Sequence, residues 1–342
     1  MNRVWRELRW MMVSGALLAA LLSLGSACLG QNPLHIFRLI GSQVLFDGYG
    51  LGSILYKATT LIFSGLACAL AFRCGLFNIG AEGQLYAGAF GMTMFGLYGP
   101  RLPNWLMLPC LLGVAAAGGA AWAVIPAWLK ARRGAHEVIS TMMMNFVAMA
   151  AINWLISTRF HDPETIHTAE LPAPCVFPPI AAFERLFPGS AVNASIFLAL
   201  GFCAIIAYFL WRTPLGFEWR AVGINPAAAK TSGVRVDLTL IGILLASGAV
   251  AGLAGANFVL GYKHYFEEGF ASGAGFLGIA VALVARNNPI AVIPSAFLFA
   301  FLSQAGLTLN RWIPRELFEI LQAGAILIIV IAQQKLGGNE DR

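Results

Sequence analysis

Apolar stretches of about twenty residues, parted by short polar or glycine-rich breaks, recur along the whole chain. They fall near positions 11–29, 51–72, 79–98, 104–129, 141–157, 191–211, 238–262, 275–285, 289–309 and 317–334. A hydrocarbon layer about 30 Å thick takes roughly twenty apolar residues to cross as a helix. The pattern therefore predicts about ten transmembrane helices, and only the run at 275–285 is too short to cross alone. Arg3, Arg6 and Arg9 ahead of the first run imitate a secretory signal. Gly25, Ser26, Ala27 and Cys28 resemble a lipoprotein cleavage site, with Gly25 where Leu is expected. Nine further spans downstream favour a retained first helix.

Small residues recur every fourth position at Gly83, Ala87 and Gly91, at Gly248 and Gly252, and at Ala251 and Gly255. In lipid such ladders let helix backbones approach closely. They fit either static packing or a moving helix interface.

Composition settles the solvent. The 342 residues are 58% apolar and 11% charged, with a mean hydropathy of +0.74. A soluble domain carries about 25% charge, so the two soluble globules suggested by length are excluded. The expectation is an all-α integral membrane protein, one transmembrane domain over 1–342. The six cysteines are scattered with no CxxC pair, so no disulfide framework or zinc site is implied. Lys plus Arg number 22 against 16 Asp plus Glu, an excess that reads first as orientation. With the N-terminus inside, fourteen Lys and Arg fall in inside segments and seven outside, with Lys57 within a span. That asymmetry predicts both termini in the cytoplasm. It places loop 158–190, with four acidic residues and six prolines, outside as an ordered cap.

Three segments break the apolar pattern. In the first, Phe77, Asn78, Ile79, Gly80, Ala81, Glu82, Gly83 and Gln84 join two spans. A charged side chain at membrane depth costs roughly 2.5–3.5 kcal/mol and normally faces a cavity or a partner. The other reading of Glu82 is a solvated residue in a short cytoplasmic turn near Arg73. The second is the cytoplasmic loop 212–237. Within it Asn225 is an N-cap, Pro226 fills the first turn, alanines including Ala228 and Ala229 fill the body, and Gly233 stops a short helix. A two-turn helix alone in water is marginal, so one specified at both ends points to docking on a protein partner. A helix merely lying on the surface is the alternative. The third segment places Gly273, Gly275 and Gly278 before a half-length apolar run that Asn287, Asn288 and Pro289 close. The match to GxGxxG is spurious, because no βαβ unit surrounds it. A broken or re-entrant helix remains, tolerated at membrane depth only inside protein or beside an aqueous cavity. Its N-terminus offers free N–H groups to a polar solute.

Catalytic constellations are absent: no HExxH, GxSxG or SxxK is present, nor an ATP-binding P-loop. No cofactor or metal is expected, and the chain is read as no enzyme.

At these residues the chain resembles a known family. Segment 77–84, the stretch Gly134 to Thr141 with Met144 and Asn145, Ala221 to Pro226 with Gly233, and Gly278 to Leu283 with Asn287, Asn288 and Pro289 look like permease subunits of ABC importers. The resemblance is to the branched-chain amino acid, simple-sugar and nucleoside permease family, and most to its nucleoside (basic membrane protein-dependent) branch. His136 departs from it, since family patterns commonly carry Asn or Val there. The resemblance implies a type II importer bundle in a bacterial inner membrane. It implies an ATPase partner with tandem nucleotide-binding domains, a second and different permease subunit, and an extracytoplasmic solute-binding lipoprotein. The segment holding Gly223, Asn225, Pro226, Ala228, Ala229 and Gly233 would be the coupling helix to that ATPase. For a neutral nucleoside, Asn78, Glu82, Gln84 and Asn145 are candidate hydrogen-bonding groups in the pathway, and Phe77 is a candidate stacking surface. The same residues also fit a role in sealing helix junctions. Competing readings are the same machine importing a monosaccharide or branched-chain amino acid, an ion-coupled secondary transporter with Glu82 as its cation site, and a membrane enzyme.

Overall fold

The computed structural model describes residues 19–337. Arg3, Arg6, Arg9, the run 11–18 and Arg342 lie outside the described residues, and with them the expected placement of the two termini. The described chain is helical. Its two β-bridges, His161 with Thr168 and His167 with Glu267, are isolated.

The chain begins with α1 (Ala19–Cys28), α2 (Pro33–Ile40), α3 (Gly48–Arg73), α4 (Ala81–Tyr98), α5 (Asn104–Arg133) and α6 (Glu137–Leu155). A loop carrying α7 (Ala181–Leu186) leads to α8 (Ser195–Arg212), α9 (Pro214–Ile224) and α10 (Pro226–Thr231). Then come α11 (Val236–Leu253), α12 (Gly255–Val259), α13 (Ala274–Val284), α14 (Val292–Leu309) and α15 (Arg315–Gly337). Among the described residues, six helical stretches are long and apolar enough to cross a membrane: α3, α5, α6 with its continuation to Phe160, α8, α11 with α12, and α14. Helices also occupy the expected spans at 79–98 and 317–334, part of the first, and the half-length run at 275–285.

Helix α3 is the centre. It is buried over most of its length among α8, α11, α13 and α14, as expected for a helix apolar on every side. Two of its hydroxyls turn back on the helix: Thr59 donates to the Leu55 carbonyl at 2.8 Å and Ser64 to that of Thr60 at 3.1 Å.

The glycine ladders lie at backbone contacts. A Cβ at Gly88 would sit 2.5 Å from the Gly252 Cα and 2.7 Å from the Ala115 carbonyl oxygen. One at Gly248 would sit 2.6 Å from the Gly119 carbonyl oxygen, and one at Gly255 would sit 2.5 Å from the Ala89 Cβ. Helices α4, α5 and α11 therefore meet main chain to main chain, and dispersion contacts replace the hydrophobic drive that lipid removes. Gly91 is different, with only a Val114 methyl at 3.7 Å.

Helix α5 ends on Gly134 in the left-handed conformation, φ 64°. The N–H groups of Gly134 and Ala135 donate to the carbonyls of Lys130 and Leu129, satisfying the end of the helix. Lys130 then pairs at 2.7 Å with Glu137, the first residue of α6, and fixes the turn.

The 11-residue α13 has a rise of about 16 Å, half the thickness of a bilayer core. Left-handed pairs close both of its ends: Ser272 and Gly273 before it, with φ of 47° and 80°, and Arg286 and Asn287 after it, at 53° and 55°. Loop 158–190 is ordered against the segment that leads into α13. Thr168 N–H donates to the Phe266 carbonyl at 2.9 Å, Leu171 to that of His264 at 2.7 Å, and Phe177 to that of Leu260 at 2.8 Å.

Replacing Gly252 with Ala is expected to lower stability by about 1–3 kcal/mol, the cost of overpacking a filled contact, while Gly91→Ala changes it by less than about 0.5 kcal/mol. Thermal unfolding of the two purified variants in detergent measures both, and equal melting temperatures would contradict the packing described.

Candidate functional site

The polar residues of segment 77–84 do not face solvent. The side chains of Asn78 and Gln84 pair reciprocally: Asn78 Nδ2 donates to Gln84 Oε1 at 2.8 Å, and Gln84 Nε2 donates to Asn78 Oδ1 at 3.1 Å. Asn78 Nδ2 also donates to Ser247 Oγ on α11 at 2.7 Å, and Ser247 in turn donates to the Ala67 carbonyl of α3 at 2.7 Å. Asn145 reaches across from α6. Its Oδ1 accepts from Gly83 N–H at 2.8 Å and its Nδ2 donates to the Ile79 carbonyl at 2.8 Å. Asn78, Gln84 and Asn145 are all buried. One joint thus ties α3, α4, α6 and α11 through amide groups that have both donors and acceptors to satisfy.

Glu82 completes the joint toward α13. It is 2% exposed, so the solvated-turn reading does not describe it. One carboxylate oxygen accepts from Gly273 N–H at 3.1 Å, the other from Gly275 N–H at 2.6 Å. The donors that the sequence offered to a solute are therefore taken by a side chain of α4. Hydrogen bonds to charged groups are worth about 1.5–3 kcal/mol each, and two of them offset much of the cost of burying a carboxylate. A carboxylate at a helix N-terminus also meets the positive end of its dipole. Glycine is required for this fit: a Cβ at Gly275 would sit 2.5 Å from the Glu82 Cα, and one at Gly278 would sit 2.7 Å from the Ser64 Oγ.

Phe77 stands apart from the joint. Its ring is 51% exposed and packs on Phe72 at 4.9 Å between centroids. At the far end of α13, Pro289 is buried, while Asn288 Oδ1 accepts from Ile290 N–H at 3.0 Å.

The second surface is the α9–α10 pair. Asn225 caps α10 as its sequence requires, its Oδ1 accepting from Ala228 N–H at 3.1 Å, with Pro226 in the first turn. Beyond Thr231 the chain turns at Gly233, φ 89°, and Val234 N–H donates to the Ala229 carbonyl at 3.0 Å. Ala229 is buried, whereas the other five residues of α10 are exposed. Ile224, the residue before the cap, is 86% exposed. Gly223 lies back to back with the turn that ends α3: a Cβ at Gly75 would sit 2.7 Å from the Gly223 Cα. Beside it Arg73 and Arg220 both lie over the Trp211 ring, at 5.1 and 5.6 Å.

A third feature was carried in the sequence only as a lysine inside a span. Lys57 of α3 borders two cavities of about 280 and 600 Å³, which also share Tyr56 and Leu307. Among the described residues its Nζ is buried without a hydrogen-bond acceptor.

The family described as the branched-chain amino acid transport system / permease component matches residues 50–331. The chain belongs to that family. The permease is 33% identical over 327 residues to the nucleoside ABC transporter permease protein NupB of Lactococcus lactis, covering 93% of this chain and 88% of that protein. It is 35% identical over 326 residues to the guanosine ABC transporter permease protein NupP of Bacillus subtilis, covering 92% and 91%. It is also 32% identical over 340 residues to the glucose ABC transporter permease protein TsgB13 of Haloferax volcanii, covering 92% and 86%. The permease is thus a multi-pass protein of the inner membrane. Permeases of this kind are not themselves catalytic, and they work with an ATPase and a binding protein.

Glu82→Ala leaves two main-chain donors at the start of α13 without acceptors. The expected loss is about 2–4 kcal/mol, with Glu82→Gln smaller because its carbonyl still accepts one bond. Melting temperatures of the purified variants check the order, and a wild-type value for Glu82→Ala would contradict the geometry.

Proposed function

We propose that this permease is the membrane subunit of an ATP-driven importer of nucleosides. Motion from a separate ATPase enters it through the α9–α10 pair. The observation that carries the proposal is a short helix capped at both ends and presented with nearly all of its surface free. Such a helix is marginal on its own, and docking in a groove of a motor subunit accounts for both the caps and the exposed Ile224. An ion-coupled transporter has no use for it.

In this reading about ten helices cross the membrane, both termini lie in the cytoplasm, and 1–342 form one domain. Loop 212–237 faces the ATPase, a pair of tandem nucleotide-binding domains that performs the hydrolysis. Loop 158–190 faces the binding lipoprotein. A second, different permease subunit completes the pathway. Gly223, Asn225, Pro226, Ala228, Ala229 and Gly233 form the coupling element. Asn78, Glu82, Gln84 and Asn145 act on the pathway by fixing the helices that wall it, and Phe77 offers its free ring face to a base. Gly273, Gly275 and Gly278 seat the broken helix, and Asn287, Asn288 and Pro289 close it. Each ligand drives the cycle only through its differential affinity for the two conformations.

Nucleosides are favoured because two of the three relatives described, NupB and NupP, are nucleoside and guanosine permeases, at 33% and 35% identity against 32% for the glucose permease. The similarity to the glucose permease TsgB13 supports a monosaccharide as the second reading. Uptake into proteoliposomes containing the whole transporter decides between them. ATP-dependent accumulation of labelled uridine or guanosine, and not of glucose, is expected, and the reverse would overturn the assignment. Ala228→Glu places a charge in the docked face. It is expected to cut uptake at least about tenfold, the scale of 1.4 kcal/mol at an interface, with membrane insertion intact. Normal uptake and normal co-purification of the ATPase would remove the coupling role.

A further inference from the structure

An ammonium group buried in a membrane helix without a partner is costly, and such groups mark pathways and ligand sites. Lys57 is in that position, on the third turn of α3. The other cation beside it, Arg315, is exposed and has its Nε 3.1 Å from Glu319, whereas the Lys57 amine is buried with no acceptor among the described residues. Three cavities adjoin one another here. The cavity of about 600 Å³ reaches Gly189 and Ala191 of the outer loop, and shares Tyr56, Lys57 and Leu307 with the cavity of about 280 Å³. That one shares Ser272, Leu277, Ser303 and Arg315 with a third of about 420 Å³ beside the start of α13. These volumes fall around the usual range for small-molecule sites, about 300–1,000 Å³.

We infer that the cavities around Lys57 form a solute-binding site within the permease itself, taking a neutral heteroaromatic solute that presents a carbonyl or ring nitrogen to the Lys57 ammonium. This rests on the nucleoside reading proposed above and deepens it. The walls suit that class. Tyr56, Phe258 and Phe270 supply aromatic surface, on which any base has a face to stack. Ser303 lines the cavity with a hydroxyl for a ribose, beside Thr60, which accepts from Asn257, and Ser272, which donates to the Gly269 carbonyl. Lys57 has three N–H donors and no acceptor, so it selects acceptors and repels cations. An ammonium there repels a sodium ion.

The experiment uses the whole transporter in proteoliposomes with tritiated uridine and guanosine. Lys57→Met keeps the length of the side chain and removes the charge. It is expected to raise KM at least about tenfold, the loss of one charge-assisted hydrogen bond, while Lys57→Arg stays within about threefold of the wild type. Uptake by Lys57→Met with the wild-type KM overturns the site and leaves the importer reading intact. Absence of nucleoside uptake by the wild type overturns both. Should Lys57→Met fail to assemble, Ser303→Phe fills the same cavity from α14 with the ammonium in place. It must raise KM or block uptake, and wild-type kinetics in that variant overturn the site equally.

Discussion

A helix that begins inside a packed apolar bundle has to satisfy its freed backbone groups from within, because buried N–H groups without acceptors are costly. Here a single carboxylate meets that constraint. Glu82 accepts from the main chain at Gly273 and Gly275, and much of the interior follows from this. The half-helix α13 can approach α4 only because Gly275 has no side chain, and α3 only because Gly278 has none. The amides of Asn78, Gln84 and Asn145 hold α4 in register with α3, α6 and α11, so the carboxylate arrives at the right height.

The same joint lies close to the surface proposed to meet the motor. Gly223, at the end of α9, packs against Gly75 in the turn after α3. Three residues further on, Asn78 begins the polar joint, and four beyond that Glu82 holds α13. Closely packed interiors transmit displacement rather than absorb it. A shift of the α9–α10 pair would therefore pass through two glycines into the joint, and from there to the helix bordering the cavities. Two discrete arrangements of that chain of contacts would suffice for alternating access.

Much of this was legible in the sequence. Hydropathy located the six helical stretches that are long and apolar enough to cross a membrane among the described residues, because lipid imposes a length on every crossing segment. The caps of α10 are local chemistry, with Asn225, Pro226 and Gly233 lying within nine residues of one another. Glu82 and the glycines at 273, 275 and 278 stood out as breaks in the apolar pattern. Their mutual contact did not, since 193 positions separate Glu82 from Gly275 and no local rule pairs them. The free N–H groups of α13 looked available for a solute only while the partner across the fold was unseen. Lys57 is the opposite case. One lysine in a long apolar helix resembles a snorkelling residue, and only the packed bundle reveals that its amine is enclosed beside a cavity.

Hydrogen–deuterium exchange at the start of α13 tests the central contact most directly. In the wild-type protein the amides of Gly273 and Gly275 are expected to be protected as firmly as those of the helix they begin. In Glu82→Ala the same amides should exchange at least about tenfold faster, with the body of α5 unchanged. Equal protection in the two proteins would mean that something other than Glu82 holds the broken helix in place.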